Sequence, residues 1–302
     1  MNSTFTTHKF NLNNGAAIPA IGLGTWQSEE HATCEAVKHA LQKGYRHIDT
    51  ALNYGNEKEV GEGIRASGVP RDHIWVTTKL DNHWHHRVPE GLDSSLKSLG
   101  LEYIDLFLIH FPCSTDPQDR SKHLTNWDFV KTWKEMQKLL CTGKVKTIGV
   151  SNFSVSHLER LLNDPSCKII PAVNQIELHP HNPSILKYCR SKGIHCTAYS
   201  CLGGHTNSAI NTRTELINDP VVLKISCAME KTAAQILIMW GLQRGTSMIP
   251  KSVTPERIDS NFEMDNWSLS EAETTELDRI QTRSKVVGDA WMPIRVFFGD
   301  GM

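Results

Sequence analysis

Four residues whose types together make a proton donor stand at or just beyond the ends of three short apolar runs. Asp49 closes HID with Tyr54 five residues beyond it, Lys79 closes IWVTTK, and His110 closes IDLFLIH. Tyrosine has a hydroxyl to give. A lysine ammonium beside it stabilises the phenolate and is expected to lower the tyrosine pKa from its reference near ~10. A carboxylate holds the lysine, and a histidine can point a carbonyl oxygen at the hydroxyl. That is the equipment for reducing a carbonyl. Each residue alone is more simply read as a satisfied ion pair or a hydrogen-bonded core group. A buried lysine and histidine at successive strand ends would each cost several kcal/mol if left unpaired. The four together, with the tyrosine five residues after the aspartate, favour a site.

The elements that must position them alternate. Apolar runs occur at IPAIGLG, YRHIDT, HIWVTTK, YIDLFLIH, KTIGVSN, PAVNQIE, HCTAYS and SMIPKS, and stretches of helical periodicity lie between them. The first of these, SEEHATCEAVKHALQKG, has Ser28 placed to cap it and Gly44 to end it. IDLFLI is apolar at every position except Asp105, which suits a parallel strand buried on both faces. Strand and helix alternating about eight times in about 250 residues is the pattern of a (β/α)₈ TIM barrel. A doubly wound sheet is disfavoured: no strand runs into GxGxxG, and GLGTW at 22–26 lacks the third glycine.

Asn-Asn-Gly in KFNLNNGAAIP predicts a β-hairpin that plugs the N-terminal end of the barrel. The polar ends of the runs then share the C-terminal rim, where barrel enzymes keep their sites. Residues 113–127, 203–219 and 284–302 are long excursions expected to shape that site. The tail has 17 residues from Val286 to Met302 and starts beneath the barrel after SLSEAETTELDRIQ. At up to ~3.3–3.6 Å per residue it can reach the mouth. There Trp291, Met292, Phe297 and Phe298 would form an apolar lid. No linker or low-complexity tract divides the chain, so 1–302 reads as one domain.

Charge excludes several classes. The 32 basic and 33 acidic residues are well mixed and net charge is −1, so no basic block points to nucleic acid or an anionic membrane. No run approaches the ~18 apolar residues of a membrane span. MNSTFTTHKF has no apolar core of a signal peptide. The eight cysteines form no CxxC pair and read as reduced thiols of a cytoplasmic protein. A monomer or weak homodimer is expected. HWHH at 83–86 invites a metal, but adjacent histidines point apart and no ligand cluster lies at suitable spacing; a loop at the barrel mouth is the simpler reading, and no metal is expected.

GYRHIDTALNYGNEKEVGEGI, TTKL, LFLIHFP, GKVKTIGVSNF, VNQIELHP and IPKSVTPERIDSNF match in order and spacing the aldo-keto reductase family, over nearly the whole chain. The chain resembles its fungal-type NADPH-dependent aldehyde and ketone reductases, related to xylose and glycerol/aldehyde reductases. The resemblance implies Tyr54 as general acid, Asp49 and Lys79 tuning it, and His110 orienting the carbonyl. It implies NADP(H) as cofactor, with NAD(H) as a weaker second. Ser151, Asn152 and Gln175 would hold the nicotinamide carboxamide, and Tyr199 would stack on its ring. Ser200 and Leu202 would meet the pyrophosphate, and Lys251, Ser252, Arg257 and Asn261 the adenosine 2′-phosphate and adenine. Gly24, Thr25, Trp26 and Asp49 complete the cofactor site. Trp26, Tyr54, Trp84, His110, Phe111 and Trp291 would face the substrate.

The chain departs from the family pattern at Ser260, where glutamate is common, and at Gly204, where serine is common. It also departs at Asp81 and Phe111, where tryptophan is common; Phe111 is shared with yeast xylose reductases. Two other readings stay open: a redox-sensing regulatory barrel, and a polyol or steroid dehydrogenase working mainly in the oxidative direction.

Overall fold

The computed structural model describes residues 4–178, 183–203, 216–281 and 286–297. Its first element is the expected hairpin: β1 (Lys9–Asn11) pairs antiparallel with β2 (Ala17–Pro19) in the register Phe10 to Ile18. The eight apolar runs form one parallel sheet in chain order. Its strands are β3 (Leu23–Gly24), β4 (His47–Asp49), β5 (Trp75–Leu80), β6 (Ile104–Ile109), β7 (Val145–Ser151), β8 (Val173–Glu177), β9 (His195–Tyr199) and β10 (Ser247–Met248). Parallel bridges from Ile21 to Met248 and from Gly24 to Lys251 join the two edges and curl the sheet into a barrel. Gly24 is required at that seam, because a Cβ there would sit 2.8 Å from the Ile249 carbonyl oxygen.

Side chains alternate in and out along each strand. Leu106 and Leu108 of β6 and Val173 of β8 face inward and meet Leu12 and Ile18 of the hairpin, which closes the barrel floor. Phe107, Ile109 and Ile176 face outward into the larger core beneath the helices, with Trp133, Phe153 and Trp240.

The helices are α1 (Glu30–Lys43), α2 (Glu57–Ala66), α3 (Val88–Leu99), α4 (Phe129–Lys138), α5 (Val155–Leu162), α6 (Pro183–Ser191), α7 (Pro220–Met229), α8 (Ala233–Gln243), α9 (Pro255–Phe262) and α10 (Glu271–Asp278). Gly44 ends α1 as expected, at φ 127°. Ser28 does not cap it. The N-cap is Glu29, without a side-chain bond, because Ser28 closes a turn by donating its N–H to the Thr25 carbonyl at 3.3 Å. The alternation pattern also passes over α7 and α9, whose local signal is a proline in the first turn; Asp219 caps α7 through the Val221 N–H. No helix among the described residues is long and apolar enough to cross a membrane. All eight cysteines are free.

Candidate active site

Asp49, Lys79 and His110 stand at the same end of three neighbouring strands, and Tyr54 reaches them from a short turn, Leu52–Tyr54, that ends at Gly55. Lys79 is completely buried. Its ammonium donates to Asp49 Oδ1 at 2.6 Å, to the Thr50 carbonyl at 2.8 Å and to the Tyr54 hydroxyl at 3.1 Å, which uses all three of its protons. The second oxygen of Asp49 accepts from Gln175 Nε2 at 2.5 Å. The His110 ring meets the Tyr54 ring edge-on, centroids 5.7 Å apart, and stacks on Phe111 at 4.8 Å. The Thr50 contact was invisible in the sequence because the partner is a backbone carbonyl.

The charge states follow from burial and partners. Burial works against the Lys79 ammonium, but Asp49 and Tyr54 outweigh it and hold its pKa above the ordinary value. Burial pushes Asp49 above the usual carboxylate range, opposed by Lys79 and Gln175. The Tyr54 hydroxyl departs from expectation. Lys79 does pull its pKa down, but burial pushes it up by more, so the net direction is upward. A phenolate made in this site loses more hydration than one cation restores. Burial, reinforced by Lys79, drives His110 down to about 3. The imidazole is therefore neutral at physiological pH. Its Nδ1 is buried with no hydrogen-bond partner among the described residues.

Beside the tetrad lies a set of carboxamides and hydroxyls. Asn152 Nδ2 donates to the His110 carbonyl at 2.9 Å, and its Oδ1 accepts from the Tyr199 hydroxyl at 2.6 Å. Ser151 Oγ donates to the Gln175 carbonyl at 2.9 Å. Asn152 and Ser200 have positive φ, 64° and 47°. Backbone held in that region by non-glycine residues clusters at functional sites. Buried amides and a hydroxyl next to a half-buried aromatic ring fit a planar carboxamide carried on a ring, which is what a nicotinamide presents.

Thr25 Oγ1 ties this group to β4 through the Asp49 carbonyl at 3.0 Å. Trp26, Ser200 and Leu202 are half-buried at the rim. Ser252 and Asn261 are buried at either end of the α9 segment. Lys251 and Arg257 are exposed, and neither is in an ion pair among the described residues; Lys251 donates to the Gln27 carbonyl at 3.0 Å. Two such cations fit a phosphate.

Of the residues expected to face substrate, Phe111 and Trp291 come together edge-on at 5.2 Å. Met292, Val296 and Phe297 bury against Phe111 and Cys113. Phe298, Gly204 and most of the 203–219 excursion lie outside the described residues. Trp84 does not join Phe111 and Trp291. It packs on the helix-side core, beside Gly91 and 4.5 Å from the Arg87 guanidinium. The turn at 82–84 that begins at Asp81 aims it toward α3.

Asp81 itself takes His83 Nδ1 at 3.1 Å and Arg120 at 3.4 Å, and His85 pairs with Ser114 at 2.9 Å. No group of three or more metal-ligating side chains occurs among the described residues. Sequence reasoning overlooked Glu177. The available signal was a carboxylate two residues past Gln175, on the same strand face.

Comparison with known proteins matches residues 20–282 to the aldo/keto reductase family. The chain belongs to that family. This aldo/keto reductase is 43% identical over 311 residues to glycerol 2-dehydrogenase (NADP(+)) of Saccharomyces cerevisiae, covering 97% of each chain. It is 45% identical to D-galacturonate reductase of Hypocrea jecorina, over 84% of this chain and 85% of that one. Among solved structures it resembles the aldose reductase of Schistosoma japonicum, with TM-score 0.86, 37% identity, and 95% and 96% of the two chains covered.

Proposed function

We propose that this aldo/keto reductase reduces an aldehyde or ketone to the alcohol with NADPH, Tyr54 serving as the general acid. The observation that carries the reading is the buried chain from Asp49 through Lys79 to the Tyr54 hydroxyl, with links of 2.6 and 3.1 Å. The bound reduced nicotinamide supplies the hydride.

Tyr54 gives its proton to the carbonyl oxygen as negative charge develops there, a contribution of about 10²–10⁴-fold. Its raised pKa keeps the acid loaded before reaction, and the Lys79 ammonium offsets the phenolate that forms. Neutral His110 donates a second hydrogen bond to the same oxygen, so the developing charge is met by fixed donors rather than by water. Asp49 and Gln175 hold Lys79 in place. Ser151, Asn152 and Gln175 bind the carboxamide, and Tyr199 offers its ring as a stacking face. Lys251 and Arg257 bind the 2′-phosphate, which gives a preference for NADPH with NADH as a weaker second cofactor. The NADP(+) in the name of the yeast relative supports that preference.

The tail lies over the mouth as a lid that selects substrate. Trp291, Met292 and Phe297 of the tail favour aromatic or aliphatic carbonyls, whereas Phe111, shared with yeast xylose reductases, and D-galacturonate reductase among the relatives keep hydroxylated aldehydes on the test panel. Polyol oxidation is the same chemistry reversed, and the name of the yeast glycerol dehydrogenase favours including it. The free thiols suit a reducing cytoplasm, with residues 1–302 as one barrel domain acting as a monomer or weak homodimer.

A panel of aldehydes, ketones and sugars, followed by NADPH absorbance, tests the reading. Turnover of at least one simple aldehyde is expected. Tight NADPH binding without turnover of any would favour a regulatory barrel instead.

A further inference from the structure

The inward face of β8 carries three residues at three depths. Val173 belongs to the barrel floor, Gln175 holds Asp49 of the tetrad, and Glu177 stands at the mouth. Glu177 is buried, and each of its carboxylate oxygens accepts a backbone N–H of the tail: Oε1 from Val286 at 2.6 Å and Oε2 from Val287 at 2.9 Å. Two successive amides on one carboxylate form a charge-assisted clamp.

Farther along, Asp289 Oδ2 accepts from the N–H groups of Val296 at 2.9 Å and Phe297 at 3.1 Å, folding the segment into a loop. That loop lays Met292, Val296 and Phe297 on Phe111 and Cys113, just beyond β6. The tail is thus held on the β8 side by a carboxylate and on the β6 side by apolar packing. β7, which ends in Ser151, lies between. Glu177 is also the register partner of Tyr199 on β9, so the clamp is seated beside the ring that faces the cofactor.

We infer that Glu177 is a positioning residue for substrate selection: it clamps the tail so that Phe111 and the lid close on the carbonyl compound. The inference rests on the lid reading given above. Glu177→Gln turns one acceptor oxygen into an N–H donor facing another N–H donor, so one arm of the clamp is lost while size is kept. Val287→Pro deletes a donor from the tail and leaves the barrel side chains intact.

Four proteins form the test: the full chain and a chain ending at residue 285, each with and without Glu177→Gln; Val287→Pro is measured alongside. The ratio of kcat/KM for a small and a bulky aldehyde and the NADPH affinity are recorded. Trypsin cleavage after Arg295, which is exposed in the tail, reports lid release.

Expected are a shift in the aldehyde ratio and faster cleavage, both by at least ~10-fold, the factor that one charge-assisted hydrogen bond is worth. NADPH affinity should be unchanged, and Glu177→Gln should have no effect on the ratio once the tail is gone. If truncation shifts the ratio but neither substitution does, the clamp is not what positions the lid. An equal effect of Glu177→Gln with the tail absent would make Glu177 part of the barrel wall only. No shift on truncation would remove both the lid reading and this inference, while carbonyl reduction by Tyr54 would stand.

Discussion

Asp49 and Gln175 lie 126 residues apart in the chain and meet across the barrel, with Gln175 Nε2 donating to Asp49 Oδ2 over 2.5 Å. Their strands, β4 and β8, are four apart in a ring of eight and so stand on opposite sides. The contact fixes the free oxygen of the carboxylate that holds Lys79. It thereby connects the Lys79–Tyr54 side of the mouth, proposed to donate the proton, to the side that would carry the cofactor amide. The four predictions below start from this arrangement.

Tyr54→Phe should abolish turnover and leave NADPH affinity nearly intact, since the hydroxyl acts on the carbonyl rather than on the nucleotide. The expected loss of kcat at saturating cofactor is at least ~10²-fold. A loss below tenfold would remove Tyr54 from the role of acid.

Lys79→Met should destabilise the fold as well as stop the chemistry. It leaves the Asp49 carboxylate buried without its cation, a cost of about 3–5 kcal/mol. For a chain of this size that lowers Tm by roughly 5–10 °C. Calorimetry at neutral pH measures it, and an unchanged Tm would show that Asp49 does not depend on Lys79.

Lys251→Ala and Arg257→Ala should each weaken NADPH far more than NADH, because a charge-assisted contact to the 2′-phosphate is worth roughly 1.5–3 kcal/mol and NADH has no such phosphate. Fluorescence titration with both cofactors is the check. Equal weakening of the two would assign these residues to loop support, as the Lys251 bond to the Gln27 carbonyl would allow.

Buried histidines make stability fall with acid. His47, His85 and His110 are each driven down to about 3 by burial. The unfolded chain takes up these protons near pH ~6.5, so below that value it binds more than the folded one and folding weakens as pH drops. Raised carboxyls at Asp49 and Glu57 act in the opposite sense, so one histidine is best isolated. His85, which is not one of the four tetrad residues and is bonded to Ser114, serves. The stability deficit of His85→Gln should shrink by up to ~1.4 kcal/mol per pH unit between pH 6 and 4. Urea titrations across that range would contradict the assignment if the deficit stayed constant.

The amino-acid sequence alone determined the alternation of strand and helix, the hairpin that closes the floor, and the rim to which Asp49, Lys79 and His110 belong. These follow from local rules: runs such as IDLFLI are apolar on both faces, and a polar residue at their end must lie where the strand leaves the core. The resemblance to the family motifs pointed to Tyr54 and to the residues proposed for the cofactor.

Tertiary structure decided everything that depends on depth and on distant partners. Ser28 has the right residue type for a cap, but the turn at Thr25 claims it. Trp84 is aimed toward α3 by the turn that begins at Asp81. The direction of the Tyr54 shift depends on how far burial outweighs one lysine, a balance that spacing does not encode. Glu177 acquires its role only where the tail returns, 109 residues later, to place Val286 against it. A strand end specifies which groups face the mouth; closure of the barrel specifies what they meet there.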